Sequence, residues 1–459
     1  MRTIRPDLSA LIPVLPKHGS RAPALAAAIR DLIVDGHLTE NEKLPPGRIL
    51  AKQLGVSRGI VIAAYEQLIA EGFAVGRVGA GTFVSQALPG VKPRKKEILS
   101  KLVIQKPRPG QLGLGMADEK SLTQLRKLLN RSLAQKTTRH PGYPDPRGSE
   151  NLRIEIANYL RVARAARVEP DQIVLTTGAQ QSIDLIFRAA LKTDDQIWIE
   201  DPCYPMAAQA IRGNGLSLVP VRVTEEGLDV NFGIMRAPNA KAVYVTPSHQ
   251  FPLGVTLALS QRIKLLEWAD RSGAWIIEDD YDSEFRFSGA PLTSLQGMDK
   301  AERVIYVGSF SKVLLPGLRC GYMIVPPSLL PRVLEVRQYM DRSPVNIIDD
   351  ALAAFLREGH FARHLKRART KAVSARNVLV KGLLTKGIQV EEPNQGLHLV
   401  GHVQTLVQET ALLSRLDNAG IAARALSGMY QSKSRGDFGI VVGFSGFSPS
   451  AFAVALKRL

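Results

Sequence analysis

Cysteine is nearly absent: Cys203 and Cys320 are the only two in 459 residues. Two cysteines make neither a disulfide framework nor a zinc cluster, so a reducing cytosol is the expected setting. Long apolar runs are missing too. No uninterrupted apolar stretch comes near the ~18 residues of a membrane-crossing helix. The first apolar stretch, Leu11 to Leu15, is cut by Pro13 and followed by Pro16, which makes a poor signal-peptide core. Acidic residues are in short supply: 42 Asp and Glu face 60 Lys and Arg, for a formal charge of +18 and a pI near 9.9. With 45% hydrophobic and 22% charged residues the chain can bury large cores, which excludes wholesale disorder. At roughly 100–200 residues per domain, the length suggests two to four domains.

The place of the charge matters more than its sum. Residues 86–110 hold Lys92, Arg94, Lys95, Lys96, Lys101, Lys106 and Arg108 against Glu97, and are punctuated by Pro89, Gly90, Pro93, Pro107, Pro109 and Gly110. This stretch reads as a basic tether between two domains, and is expected to be a solvated linker. The expected division is 1–85, a tether at 86–114, and 115–459.

Before the tether, Leu25, Ile29, Leu32 and Ile33 form one stripe of an amphipathic helix that Gly36 stops. A short helix from about Arg48 to Leu54 ends at Gly55, and Ser57 stands as N-cap before Val61, Tyr65, Leu68 and Ile69. That order is the helix-turn-helix plan. Phe73–Val75 and Thr82–Val84 then read as strands joined by Gly76-Arg77-Val78-Gly79-Ala80-Gly81, a small wing. No helix follows these glycines, so they are not a dinucleotide fingerprint. A recognition helix presents its N-terminal side chains to the major groove, and Ser57 and Arg58 stand there, with Arg48 opening the preceding helix.

The run "LPPGRILAKQLGVSRGIVIAAYEQLIAEGFAVGRVGAGTFV" closely resembles the winged helix of the GntR family of bacterial repressors. The resemblance implies operator DNA as a partner, contacted by Arg48, Ser57, Arg58 and Gly81, with Arg77 and Thr82 added from the wing. Gly47 stands where a serine is usual, and Gly59-Ile60 replaces a polar-Thr pair, so operator affinity or preference is expected to depart from the family norm.

Beyond the tether, β-branched runs alternate with helical patterns, which argues for an α/β fold with a mostly parallel sheet. Candidate strands are Gln172–Thr176, Gln196–Ile199, Ala242–Thr246, Trp275–Glu278 and Val304–Val307. Their C-terminal ends, where open α/β sheets bind ligands, carry Thr177 to Gln180, Asp201 to Tyr204, Ser248 to Gln250, Asp279 to Tyr281, and Ser309 to Lys312. Pyridoxal 5′-phosphate needs a lysine for a Schiff base, an acid for its pyridine nitrogen, an aromatic face and a phosphate cradle. Lys312 and Asp279 supply the first two. Gly178, Ala179 and Gln180 begin a helix whose N–H groups suit a phosphate, with Arg319 seven residues past Lys312. Taken singly, each has a blander reading: a surface lysine, a capping aspartate, a packed tyrosine, a turn serine.

The motifs "GYPDPRG", "TTGAQQSIDLIFRAAL", "EDPCYP", "TPSHQFPLG", "IIEDDYDSEFRF", "GSFSKVLLPGLRCGY" and "GLHLVGHV" resemble, in order, those of fold-type I aminotransferases. "TPSHQFPLG" and "EDDYDSEF" resemble the MocR subfamily of GntR regulators in particular. The resemblance implies a cytoplasmic bacterial regulator acting as a head-to-tail homodimer, away from membranes. It makes Lys312 the cofactor-bearing lysine, Asp279 the partner of the pyridine nitrogen, and Tyr281 the partner of the phenolic oxygen, with His249 close by. Tyr204 would stack on the ring; Gly178, Ala179, Gln180, Ser309, Ser311 and Arg319 would hold the phosphate; and Tyr143 would reach the partner subunit's phosphate. Phe251 stands where aminotransferases place an asparagine, and Val441 where they place the arginine that forks onto a substrate carboxylate. Arg424 or Arg435 could substitute for that anchor from a nearby loop, but the expected effector is not a standard α-amino acid held by the usual arginine: it is an amine, a sulfonate or ω-amino acid held elsewhere, or pyridoxal phosphate itself. The competing readings are a working aminotransferase with a DNA-binding head, and a scaffold that has lost its cofactor. A missing carboxylate anchor disfavours the former.

Overall fold

The computed structural model describes residues 20–86, 106–135, 143–345, 347–432 and 436–459. Its contacts divide the chain into two compact units, meeting between Gln105 and Lys106. Most of the expected tether, and Arg435, lie outside the described residues.

In the smaller unit, α1 (Arg21–Val34), α2 (Gly47–Leu54) and α3 (Arg58–Ala70) precede a hairpin of β1 (Ala74–Arg77) and β2 (Gly81–Val84). The predicted stripe of α1 is buried: Leu25, Ile29, Leu32 and Ile33 pack with Leu50, Val61, Tyr65, Leu68, Ala74 and Val84 in one core. Gly55 caps α2 in the left-handed region, where glycine has no Cβ to clash. The Tyr65 hydroxyl donates to the Pro45 carbonyl at 2.8 Å, tying α3 to the turn before α2. The first wing strand starts one residue later than its sequence pattern suggested and runs two further, and the second starts one earlier, because the ladder continues to the Arg77–Gly81 pair.

The larger unit is built on an eight-stranded sheet. Its strands are β3 (Ile173–Thr176), β4 (Gln196–Asp201), β5 (Ser217–Thr224), β6 (Gly227–Leu228), β7 (Ala242–Val245), β8 (Trp275–Asp280), β9 (Val304–Ser309) and β10 (Gly321–Ile324), in the order β3-β10-β9-β8-β7-β4-β5-β6. All five strands expected from sequence are present. β9, β8, β7, β4 and β5 run parallel, while β10 lies antiparallel between β3 and β9. Parallel strands deliver their C-terminal loops to one edge, which gathers the polar clusters the sequence places there. A second sheet has β13 (Phe438–Gly443) at its centre, flanked by β11 (His398–Val403) and β12 (Arg424–Ala425).

The tether ends earlier than residue 114. Residues 106–114 pack with the larger unit: the Ala422 N–H donates to the Pro109 carbonyl at 2.7 Å and the Gly443 N–H to the Gly110 carbonyl at 2.8 Å. Gly110 has φ +90°, and a Cβ there would collide with the Ala422 carbonyl. Proline and glycine here serve close backbone approach, not a free linker. The basic run 357–371 lies mostly on the helix His360–Thr385. Arg363, Lys366 and Arg369 are exposed, whereas Arg367 pairs with Asp118 at 2.6 Å. Among the described residues no helix is long and apolar enough to cross a membrane.

Candidate functional site

In the smaller unit, Arg48, Ser57 and Arg58 are exposed. Ser57 is the N-cap of α3 but makes no side-chain capping bond, so its hydroxyl is not consumed by the helix. Gly81 is exposed at φ +111°, and Thr82 is half-buried, its carbonyl accepting from the Leu44 N–H. Arg77 is exposed yet braced: Nη2 donates to the Asn41 Oδ1 at 2.9 Å, and its guanidinium lies over the Phe83 ring at 4.5 Å. Lys43 reaches the same ring at 5.7 Å. The wing is thus stiffened by cations that remain at the surface.

In the larger unit, the site assembles at the strand ends. β8 places Asp279 and Asp280 on opposite faces. Asp280 is claimed by structure, pairing with Arg164 at 2.8 Å and accepting from the Tyr306 hydroxyl. Asp279 accepts from the Tyr244 hydroxyl of β7 through one oxygen, while its buried Oδ1 has no partner. Burial raises the Asp279 carboxyl to about 6, opposed by the Tyr244 bond and by the charge of Lys312. Lys312 follows β9. Burial lowers its pKa while Asp279 and Asp282 raise it, and its Nζ donates to the Gly113 carbonyl at 3.0 Å.

Gly178, at φ +125°, caps the helix Ala179–Ala190. A Cβ on Gly178 would stand 3.6 Å from the Arg319 Nη1, and one on Gly321 would meet the Gly178 Cα. Arg319 itself sits in the left-handed region at φ +48°. Helix N–H groups, a glycine and a guanidinium so arranged make an anion cradle. Ser309 lies beside it, its Oγ accepting from the Ser311 N–H at 3.1 Å. Gln180 donates to the Met206 carbonyl at 3.2 Å.

Tyr204 is half-buried and meets Phe251 edge-on at 5.8 Å. The Tyr281 hydroxyl and both Asp282 oxygens approach the same His249 nitrogen, Nδ1, at 3.0 to 3.1 Å. One nitrogen cannot accept and donate at once. With its proton directed at Asp282, the Tyr281 O–H is left for another acceptor. His249 therefore stands behind Tyr281 as its support. Gly396 makes room for that imidazole, since any Cβ there would collide with the ring. Tyr143 is 74% exposed, with the Arg342 guanidinium over its ring at 4.8 Å. Val441 is fully buried in an apolar cluster with Leu426 and Met429.

The structure thus brings Lys312, Asp279, Tyr281 and His249 to one edge of the sheet, and Gly178 and Arg319 into one cradle. Gly113, Tyr244 and Asp282 escaped the sequence reading. Tyr244 was legible as a lone hydroxyl in an apolar strand and Asp282 as a further acid in "EDDYD", whereas Gly113 contributes only a carbonyl.

Residues 111–442 match the family model "Aminotransferase class I and II", and residues 22–84 match "Bacterial regulatory proteins, gntR family". The chain is 30% identical over 94% of its length, and 91% of the relative's, to the probable rhizopine catabolism regulatory protein MocR of Rhizobium meliloti. It is 34% identical to the pyridoxine biosynthesis regulator PdxR of Corynebacterium glutamicum, over 92% of this chain and 91% of that one. The chain belongs to the MocR subfamily of GntR-type transcriptional regulators. Among solved structures, an archaeal alanine:glyoxylate aminotransferase superimposes with a TM-score of 0.70 at 24% identity, over 77% of this chain and 90% of that one, which shows the fold alone. The cofactor of this class is pyridoxal 5′-phosphate. The MocR-type site fits it: an orphaned buried carboxylate oxygen is ready for a pyridine N–H, and a glycine-arginine cradle for a phosphate.

Proposed function

We propose that this MocR-type regulator, as a homodimer, binds operator DNA through Arg48, Ser57, Arg58 and the wing, and reads a small amine-bearing effector at a pyridoxal-phosphate site centred on Lys312. The observation that carries the second half is the unpartnered Oδ1 of Asp279, beside a lysine whose ammonium burial disfavours. A buried carboxylate oxygen without a donor is costly, and a protonated ring nitrogen would relieve it.

Bound there, pyridoxal phosphate supplies an aldehyde that condenses with a primary amine. The chain's own residues do the rest. Asp279 would hold the ring nitrogen's proton, with Tyr244 fixing the carboxylate's orientation. Tyr281, braced by His249 and Asp282, would donate to the phenolic oxygen, and Tyr204 would cover a ring face. Gly178, Ala179 and Gln180 would offer backbone or side-chain donors to the phosphate, with Ser309, Ser311 and Arg319 around it. Tyr143, exposed as it is, would complete the partner's cradle.

Lys312 also touches the segment that continues from the tether. Its ammonium is held by the Gly113 carbonyl, and the Met116 N–H returns to the Lys312 carbonyl at 3.1 Å. Where an amine effector takes the place of Lys312, the lysine's ammonium would be free to hold this bond. The effector would thereby gain a differential affinity for one arrangement of residues 113–116, as any shift of the regulator requires. Val441, apolar and buried where a carboxylate anchor would stand, supports sensing over turnover.

DNA binding is tested by mobility shift on the promoter fragment that the protein retards. Arg58→Ala is expected to weaken binding by roughly 10-fold or more and to reduce the salt dependence by about one phosphate contact. Unchanged affinity would remove Arg58 from the interface.

A further inference from the structure

A row of directly opposed residues runs across the small sheet at one level. In the antiparallel ladders Val441 of β13 faces Val400 of β11 on one side and Arg424 of β12 on the other. Directly opposed residues project from the same face. On that face Val441 and Val400 pack with Leu112, Phe251 and Leu253, and Phe251 meets both Tyr204 at 5.8 Å and Tyr281 at 6.1 Å. The row therefore looks onto the aromatic wall of the cofactor cleft, and Arg424 is its last member.

Two further observations distinguish Arg424. It is exposed, and among the described residues no carboxylate pairs with it. Its charge is close enough to Tyr204 to oppose the upward shift that burial imposes on that phenol. An arginine on an edge strand also discourages strand pairing between molecules, but that role does not call for a position on the row that carries Val441.

Resting on the effector reading above, we infer that Arg424 is the anion anchor of the effector site, so that the effector is a primary amine whose other end carries a carboxylate or sulfonate. The amine end belongs at Lys312. The anionic end meets the guanidinium fork, which matches a planar carboxylate in two parallel hydrogen bonds. The apolar floor of Val441, Val400 and Phe251 lies along the same face and suits the methylenes between the two ends. Because β12 is one strand out from β13, roughly 5 Å away, the anchor's backbone lies that much farther along the sheet than Val441.

The test uses the full-length protein loaded with pyridoxal phosphate. Binding is followed by the cofactor's absorbance during titration with glycine, β-alanine, 4-aminobutyrate, 5-aminopentanoate and taurine, and with butylamine as the amine that lacks an anion. At least one of the charged ligands is expected to bind ~10-fold or more tighter than butylamine, the range for hydrogen bonds to a charged partner. Arg424→Gln should erase that advantage while leaving butylamine affinity, cofactor loading and DNA retardation unchanged. Arg424→Lys should restore only part of it. If Arg424→Gln binds the charged ligands as the parent does, or if no anion improves on butylamine, Arg424 is not the anchor although the effector reading stands. If no amine of either kind alters the cofactor's absorbance, the effector reading fails and this inference with it.

Discussion

Asp279→Asn is expected to move stability and cofactor affinity in opposite directions. The folded-state pKa of about 6 lies above the ~3.9 of an unfolded aspartate. A group raised in this way favours folding only while protonated, so its contribution is most favourable below about pH 4 and is lost as pH rises through 6. At pH 7 the buried carboxylate costs ~3 kcal/mol in the cofactor-free protein. Asparagine removes that charge and still accepts from Tyr244, but leaves an amide N–H unpaired at about 1 kcal/mol. A net gain of ~1–2 kcal/mol at pH 7, fading toward pH 4, is the expected result of denaturant melts. Pyridoxal phosphate affinity should instead fall ~10–100-fold, because a neutral amide cannot stabilise a protonated ring nitrogen. A variant that is less stable at pH 7, or that binds the cofactor as the parent does, would remove Asp279 from its assigned place. Function here is carried at the expense of stability.

Lys312→Ala is expected to abolish the DNA-binding response to amines while leaving DNA affinity without effector within about twofold. The DNA-contacting candidates and the lysine lie in separate compact units, and substitutions with no shared partners act independently to within ~0.3–0.5 kcal/mol. Mobility shift with and without ligand checks both halves. A DNA-binding response to amines that persists in this variant would place effector signalling away from the lysine, and a lost DNA complex would mean that the head depends on it for folding.

Much of this architecture was legible in the sequence because local and global signals agree. The stripe of α1, the left-handed Gly55 and the paired wing strands each follow from period or from backbone freedom. β3, β4, β7, β8 and β9 were legible as β-branched runs ending in polar clusters, and those clusters became the site, whereas the parallel β5 was missed. What escaped has physical causes. β10 is only four residues long and runs antiparallel inside the sheet, a topology that no local pattern encodes. Gly113 acts through its carbonyl, which every residue possesses. Residues 106–114 share the proline and glycine content of a linker, yet their glycines answer to the crowding of Ala422, Ile421 and Lys312. Arg424 was visible as a candidate but could not be set beside Val441 until the register of β12 on β13 was known.

The central claim is a covalent site at one lysine, and borohydride reduction of the pyridoxal-phosphate-loaded protein, followed by peptide mass mapping, reads it directly. The account predicts a phosphopyridoxyl group on the peptide containing Lys312, and on no other, in near-stoichiometric amount. An unmodified Lys312 peptide, or label spread over surface lysines, would contradict it.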